Sequence, residues 1–195
     1  MDPQLNRRSN GLVMSNEVSG LSLTKGILVL LFTLSGVSLK LADFYGEQDR
    51  SYLGYVAAII TAGCMGLLIS DSPIASSVVL GIIIGVILAG KLDRRNLMFG
   101  LCLTLVTSVI LGFDYPDLRL LAIIGVASWV DEVTHDRFAS RRGMSTRLFR
   151  FRIGLKIVLI VLTVLKWVEV VYTIGFFCFD VSYDVTGVLL EKRVG

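Results

Sequence analysis

The sequence predicts an all-α, polytopic membrane bundle of about six transmembrane helices, arranged as three tandem helical hairpins. Three observations predict it. Hydrophobic side chains make up 54% of the 195 residues and mean hydropathy is +0.74, whereas soluble domains carry about 45–50% apolar residues in much shorter runs. The apolar runs 26–42, 53–70, 74–90, 97–113 and 153–178 each reach the roughly 17–20 residues that a helix needs to cross hydrocarbon. The junctions between runs also repeat, with Gly36-Val37, Gly85-Val86 and Gly125-Val126 each followed within one or two turns by Asp43, Asp93 or Asp131.

In chain order, residues 1–25 form a polar, Ser/Asn-rich tail with neither the apolar core nor the cleavage pattern of a signal peptide, so the first run reads as a retained helix. The bundle occupies 26–178. Its second and fourth runs end at Asp71-Ser72-Pro73 and Asp114-Tyr115-Pro116. There the Asp can close one helix and cap the next, and Pro suits a first turn because its missing N–H is an orphan there anyway. The run 118–130 is 13 residues long and spans only if the helix continues through 131–136. Residues 138–152 form a basic loop with five arginines and no acid, preceded by Arg137. The sixth run gives way to a C-terminal tail at 179–195.

Charge sets the expected orientation. Loops after the odd-numbered helices, with the helix ends beside them, hold twelve Lys and Arg against six on the opposite side. Basic residues accumulate in cytoplasmic loops, so the sequence places the protein in the cell membrane with its basic loops cytoplasmic and both termini outside. On anionic lipid each basic side chain of 138–152 contributes about 1 kcal/mol. Nucleic acid is excluded as a partner because no nucleic-acid-binding fold accompanies the charge.

Small residues fill the helix interiors, and Gly81 and Gly85 form a G-x-x-x-G pair. Close backbone approach holds bundles together in lipid, so packing within the chain is the first reading of that pair and a homo-oligomer interface the second. Cys64, Cys102 and Cys178 lie inside apolar runs without C-x-x-C spacing and read as packing residues.

The candidate chemistry gathers at the odd-helix ends. Asp131, Glu132 and His135, candidate catalytic residues, fall in Asp131-Glu132-Val133-Thr134-His135-Asp136-Arg137, where Asp131 and His135 share a helix face. Asp43, Glu47, Asp93, Asp131 and Asp136 are candidate metal ligands. One histidine is too few for a tetrahedral zinc site, so carboxylate-bound Mg²⁺ or Mn²⁺ is the expected ion. Arg94, Arg95, Arg137 and Arg141 could clamp phosphate oxygens beside it. Lys166 and Glu169 stand three apart inside the sixth run, where they can neutralise one another and face the bundle interior, either gripping a polar ligand or lining an ion path. Asp180 and Asp184 are a further pair, which a six-helix count puts on the opposite side from Asp43 and which joins the Asp43 cluster instead if the run 118–130 does not cross.

The leading expectation is a small membrane-embedded enzyme or binding protein acting on a phosphorylated or isoprenoid lipid. The competing expectations are an ion or proton transporter using Lys166 and Glu169, and a non-catalytic assembly subunit whose charges are salt bridges. An enzyme site requires carboxylates around one lipid-accessible pocket, a transporter a polar path through the sixth helix, and an assembly subunit acids already paired with bases. There is no phosphate loop, no G-x-S-x-G and no H-E-x-x-H.

Overall fold

A computed structural model of the chain describes residues 23–47, 51–92, 94–139 and 153–194. Among these the fold is all-helical, with seven helices: α1 Lys25–Glu47, α2 Ser51–Ile69, α3 Pro73–Leu88, α4 Arg95–Leu111, α5 Leu118–Ala139, α6 Ile153–Val164 and α7 Val170–Val194. Three of them, at Lys25–Glu47, Tyr52–Ile69 and Val170–Lys192, are long and apolar enough to cross a membrane. Leu30, Val109, Ile110 and Val164 are among many large apolar side chains turned outward, which water would penalise and lipid tails would not.

The helices form two layers. In the larger, α1 packs along both α7 and α2, and α2 packs along α4; in the smaller, α5 packs along α3 and meets α6. Glycines allow the close approaches. A Cβ on Gly36 would run into the Phe179 carbonyl and the Ser182 hydroxyl of α7, and one on Gly175 into the Phe32 ring of α1. Gly81 and Gly85 are buried in α3 against Ile124, Ser128 and the α5 backbone. That pair therefore packs within the chain, and an oligomer built on it would have to displace α5.

The layers meet firmly at one end. There the apolar core runs through Leu68, Ile69, Val78, Ile124, Leu159 and Phe176. Tyr172 Oη of α7 lies 2.8 Å from Ser72 Oγ at the α2–α3 turn, and Thr163 and Thr173 hydroxyls join α6 to α7 at 2.6 Å. We call this the closed end and the opposite one the mouth.

Two caps differ in position from the expectation. Ser72, not Asp71, caps α3, its hydroxyl accepting the Ala75 N–H at 3.1 Å with Pro73 in the first turn. Asp117, not Asp114, caps α5, its carboxylate accepting the Arg119 and Leu120 N–H groups. In each case the residue just before the first helical position has the geometry to reach its amides. The fifth segment does continue as helix past Asp131, as spanning requires.

The largest departure concerns the run 153–178, which is two helices and not one. The α6 helix stops after Val164, and Lys166 takes φ 60°. The Lys166 N–H reaches the Thr163 carbonyl at 3.0 Å and the Trp167 N–H the Leu162 carbonyl at 2.9 Å. Those two bonds are a Schellman ending, with Lys166 in the left-handed position usually held by glycine. The same ending closes α3, where Gly90 fills that position at φ 72°. Beyond the break α7 runs unbroken through the segment expected as a C-terminal tail.

Candidate functional site

The consequence of that break is positional. Because α6 returns the chain to the closed end, α7 leads back to the mouth and brings Asp180, Tyr183 and Asp184 beside Asp43, where they line one cavity. The six-helix count put them on the other side. The extra reversal at 165–169 is the reason for the difference.

The cavity lies between the two layers and occupies about 930 Å³, near the top of the roughly 300–1,000 Å³ usual for small-molecule sites. Charge rings its mouth. Arg94, from the α3–α4 connection, holds α1 by Glu47 Oε1 at 2.5 Å, by the Asp43 carboxylate at 3.7 Å and by the Asp43 carbonyl at 3.0 Å. Lys40 donates to Asp43 Oδ2 at 3.3 Å and sits 5.0 Å from the centre of the Tyr183 ring. Lys91 Nζ donates to Glu132 Oε2 at 2.6 Å, tying the end of α3 to α5. Lys156 Nζ lies 2.5 Å from Asp180 Oδ2 and joins the two layers through α6 and α7. Glu132 and Asp180 are almost wholly buried, with side chains 3% and 4% exposed. Burying a carboxylate so fully is costly unless a base faces it.

Below the rim the lining turns apolar. Ala58 and Met65 of α2, Ile82, Ile83 and Val86 of α3, and Leu97 and Leu101 of α4 form the walls. The polar groups at that depth are satisfied within the protein. Thr61 Oγ1 donates to Ser38 Oγ at 2.8 Å and Thr104 Oγ1 to the Gly100 carbonyl at 2.9 Å.

Of the residues singled out from sequence, Asp43, Glu47, Arg94, Glu132, Asp180 and Asp184 line this one cavity. Asp131 lies at the same end but faces α6, its carboxylate accepting the Gly154 N–H at 3.0 Å and the Leu155 N–H at 2.6 Å. It closes the start of α6 with negative charge at the positive end of the helix dipole. Arg95 is exposed and is not among the lining residues. His135, Asp136 and Arg137 fall on the last turns of α5, with side chains outside the described residues, and Asp93 and Arg141 lie outside them altogether. Among the described residues no three metal-ligating side chains converge.

Lys166 and Glu169 do not face the bundle interior. Both are exposed in the α6–α7 break at the closed end, and Glu169 lies 4.0 Å from Lys25. The expected pairing presumed a continuous helix there, and the Schellman turn removes it. Near them Asp71 accepts the Leu23 N–H at 2.8 Å and faces the Tyr172 hydroxyl at 3.4 Å. Burial pushes its carboxyl above the ordinary aspartate value, more than these hydrogen bonds lower it.

Sequence reasoning placed no site role on Lys40, Lys156 or Tyr183, and none on Asn96; it read Lys91 as part of a salt-bridge group with Asp93 and Arg94, and here Lys91 pairs with Glu132. The Asn96 side chain is buried and donates to the Ala42 carbonyl at 2.6 Å, filling the gap that Gly46 and Gly54 leave between α1 and α2. A polar amide two residues from Arg94 at the start of an apolar run was the available signal.

Comparison of the chain with family models, curated proteins and solved structures gives no match.

Proposed function

We propose that this is an integral membrane protein that binds a lipid-like amphiphile, with the polar group at the charged mouth and the apolar part between the layers. One observation carries the reading: a single cavity joins a rim of ion pairs to an apolar interior without unsatisfied polar groups. Water would gain little from such an interior, and a hydrocarbon chain gains about 0.8 kcal/mol per buried methylene. With Asp43, Glu47 and Glu132 each facing a base and Asp131 holding the start of α6, recognition of the polar group runs through these ion pairs.

In this reading all seven helices lie in the membrane region, α6 as a short segment between Asp131 and the closed end. At about 1.5 Å per residue, the 12 residues of α6 measure about 18 Å. The mouth is the cytoplasmic face, because the basic loop follows α5 there and α7 adds Lys192 and Arg193 to the same side. The two termini then lie on opposite faces, with the N-terminal segment outside. That revises the six-span arrangement, whose even count put both outside.

Native mass spectrometry of the purified full chain tests the binding. The wild type is expected to retain one amphiphile per chain, and Leu101→Trp, which fills the cavity wall, to lose it while its Tm stays within a few degrees. Equal retention by both sinks the reading.

A further inference from the structure

The cavity has a floor, and the floor has a position. On each helix that contributes more than one lining residue, the lining stops at a definite depth: Leu39 on α1, Met65 on α2, Ile82 on α3, Thr104 on α4 and Phe179 on α7. Leu39, Met65, Ile82 and Phe179 belong to, or pack against, the apolar core of the closed end, so the floor is the roof of that core. From Ala58 to Met65 and from Leu97 to Thr104 the helices advance seven residues, about 10 Å at about 1.5 Å per residue. That is about a third of the roughly 30 Å hydrocarbon thickness. The Thr104 hydroxyl donates to its own helix, and the Asp180 carboxylate, one residue beyond Phe179, is held by Lys156.

Resting on the amphiphile reading above, we propose that the site takes a single-chain amphiphile and that Met65 sets the length of chain it accepts. Two long acyl chains with a headgroup exceed both the depth and the 930 Å³. Met65 is the adjustable part of the floor. Its flexible thioether side chain is only partly buried, and methionine fills irregular gaps without a fixed shape. The ion pairs at the rim present both signs of charge, Lys40 and Arg94 with Asp43 and Lys91 with Glu132. A headgroup carrying both signs, such as phosphocholine, is the matching probe.

The experiment is native mass spectrometry of the detergent-solubilised full chain with 1-acyl lysophosphatidylcholines of increasing chain length, and with dipalmitoylphosphatidylcholine. For the wild type, affinity rises about fourfold per methylene and then levels off once the chain end meets the floor. In Met65→Trp the levelling comes at a shorter chain; in Met65→Ala it comes at a longer one, so the ruler remains testable by Met65→Ala should the tryptophan variant fold poorly. Levelling at one unchanged chain length in both variants overturns the proposal. So does retention of dipalmitoylphosphatidylcholine that Leu101→Trp abolishes, an outcome that leaves the amphiphile reading standing. If no probe is retained in a way that Leu101→Trp abolishes, the amphiphile reading falls and the ruler with it.

Discussion

The closed end and the mouth are joined by different chemistry. At the closed end the layers meet through apolar side chains and neutral hydroxyls, Ser72 with Tyr172 and Thr163 with Thr173. At the mouth they are held by charge, with Lys156 on Asp180 across the layers and Arg94 on Asp43 and Glu47. Neutral contacts tolerate a dry interior packed with apolar side chains. Ion pairs with enclosed carboxylates hold helices at a separation without filling the space between them, and the cavity lies at that end. The difference teaches that these mouth charges hold the helices at a separation where the closed end packs them together. The paired acids of the rim are what the assembly expectation calls for, and the apolar space beneath them is what the proposed amphiphile site requires.

The largest effect expected from breaking this contrast is at Asp180. Replacing it with Ala removes the carboxylate that lies 2.5 Å from the Lys156 ammonium, itself 16% exposed, and breaking a buried pair costs about 3–5 kcal/mol. Thermal unfolding of Asp180→Ala in detergent should show a large fall in Tm, and Lys156→Met with Asp180→Leu should recover most of it. A fall under about 1 kcal/mol, the range of an exposed pair, would mean that the mouth is wetter than its geometry implies.

Next is the seat of α6. A Cβ on Gly154 would stand 2.5 Å from Asp131 Oδ1, so Gly154→Ala must push the carboxylate off the amides it accepts. The expected cost is about 1–3 kcal/mol, that of overpacking a tight site. Gly63, around which nothing lies within 4 Å, serves as the control: Gly63→Ala should leave Tm unchanged or raise it.

The closed end offers a pH test. Burial raises the Asp71 carboxyl, so in the acid range the folded state binds more protons than the unfolded chain. Stability therefore falls as pH rises from the ordinary aspartate range through the raised value, and the penalty is complete above it. Asp71→Asn removes that slope while keeping an oxygen for the Leu23 N–H. Measured from about pH 4 upward, the Tm of the variant should gain on that of the wild type and then run parallel. Parallel curves throughout would show that Asp71 is solvated at the turn.

How far the sequence reached depends on which physics each feature rests on. Helix type and the first four apolar runs were legible because apolar length alone specifies them. The gathering of Asp43 and Glu132 followed from counting alternate ends. The break at 165–169 was hidden because no glycine or proline marks it: Leu165-Lys166-Trp167 reads as good helix, and the turn is stabilised by backbone bonds that composition does not reveal. Missing it displaced Asp180 and Asp184 and gave Lys166 and Glu169 an interior they do not have. Asp131 was legible as a residue with work to do, but its partner lies in α6, 23 residues away, and only the packing of α5 against α6 identifies it.

The smallest effect is the sharpest test of that missed turn. Lys166 holds φ 60°, a left-handed conformation that costs a residue with a Cβ roughly 1–2 kcal/mol. Glycine removes that cost but gives back about 0.5–1 kcal/mol in unfolded-chain entropy. Lys166→Gly should therefore stabilise the protein by about 0.5–1 kcal/mol, a gain of a few degrees in Tm, with amphiphile retention unchanged. Lys166→Val, whose branched side chain disfavours the same conformation more than lysine does, should lower Tm. A continuous helix at this point would reverse the sign for glycine, which weakens a helix interior by about 1 kcal/mol. Loss of ligand in Lys166→Gly with Tm raised would instead return Lys166 to the binding machinery, and the closed end would then hold a second site.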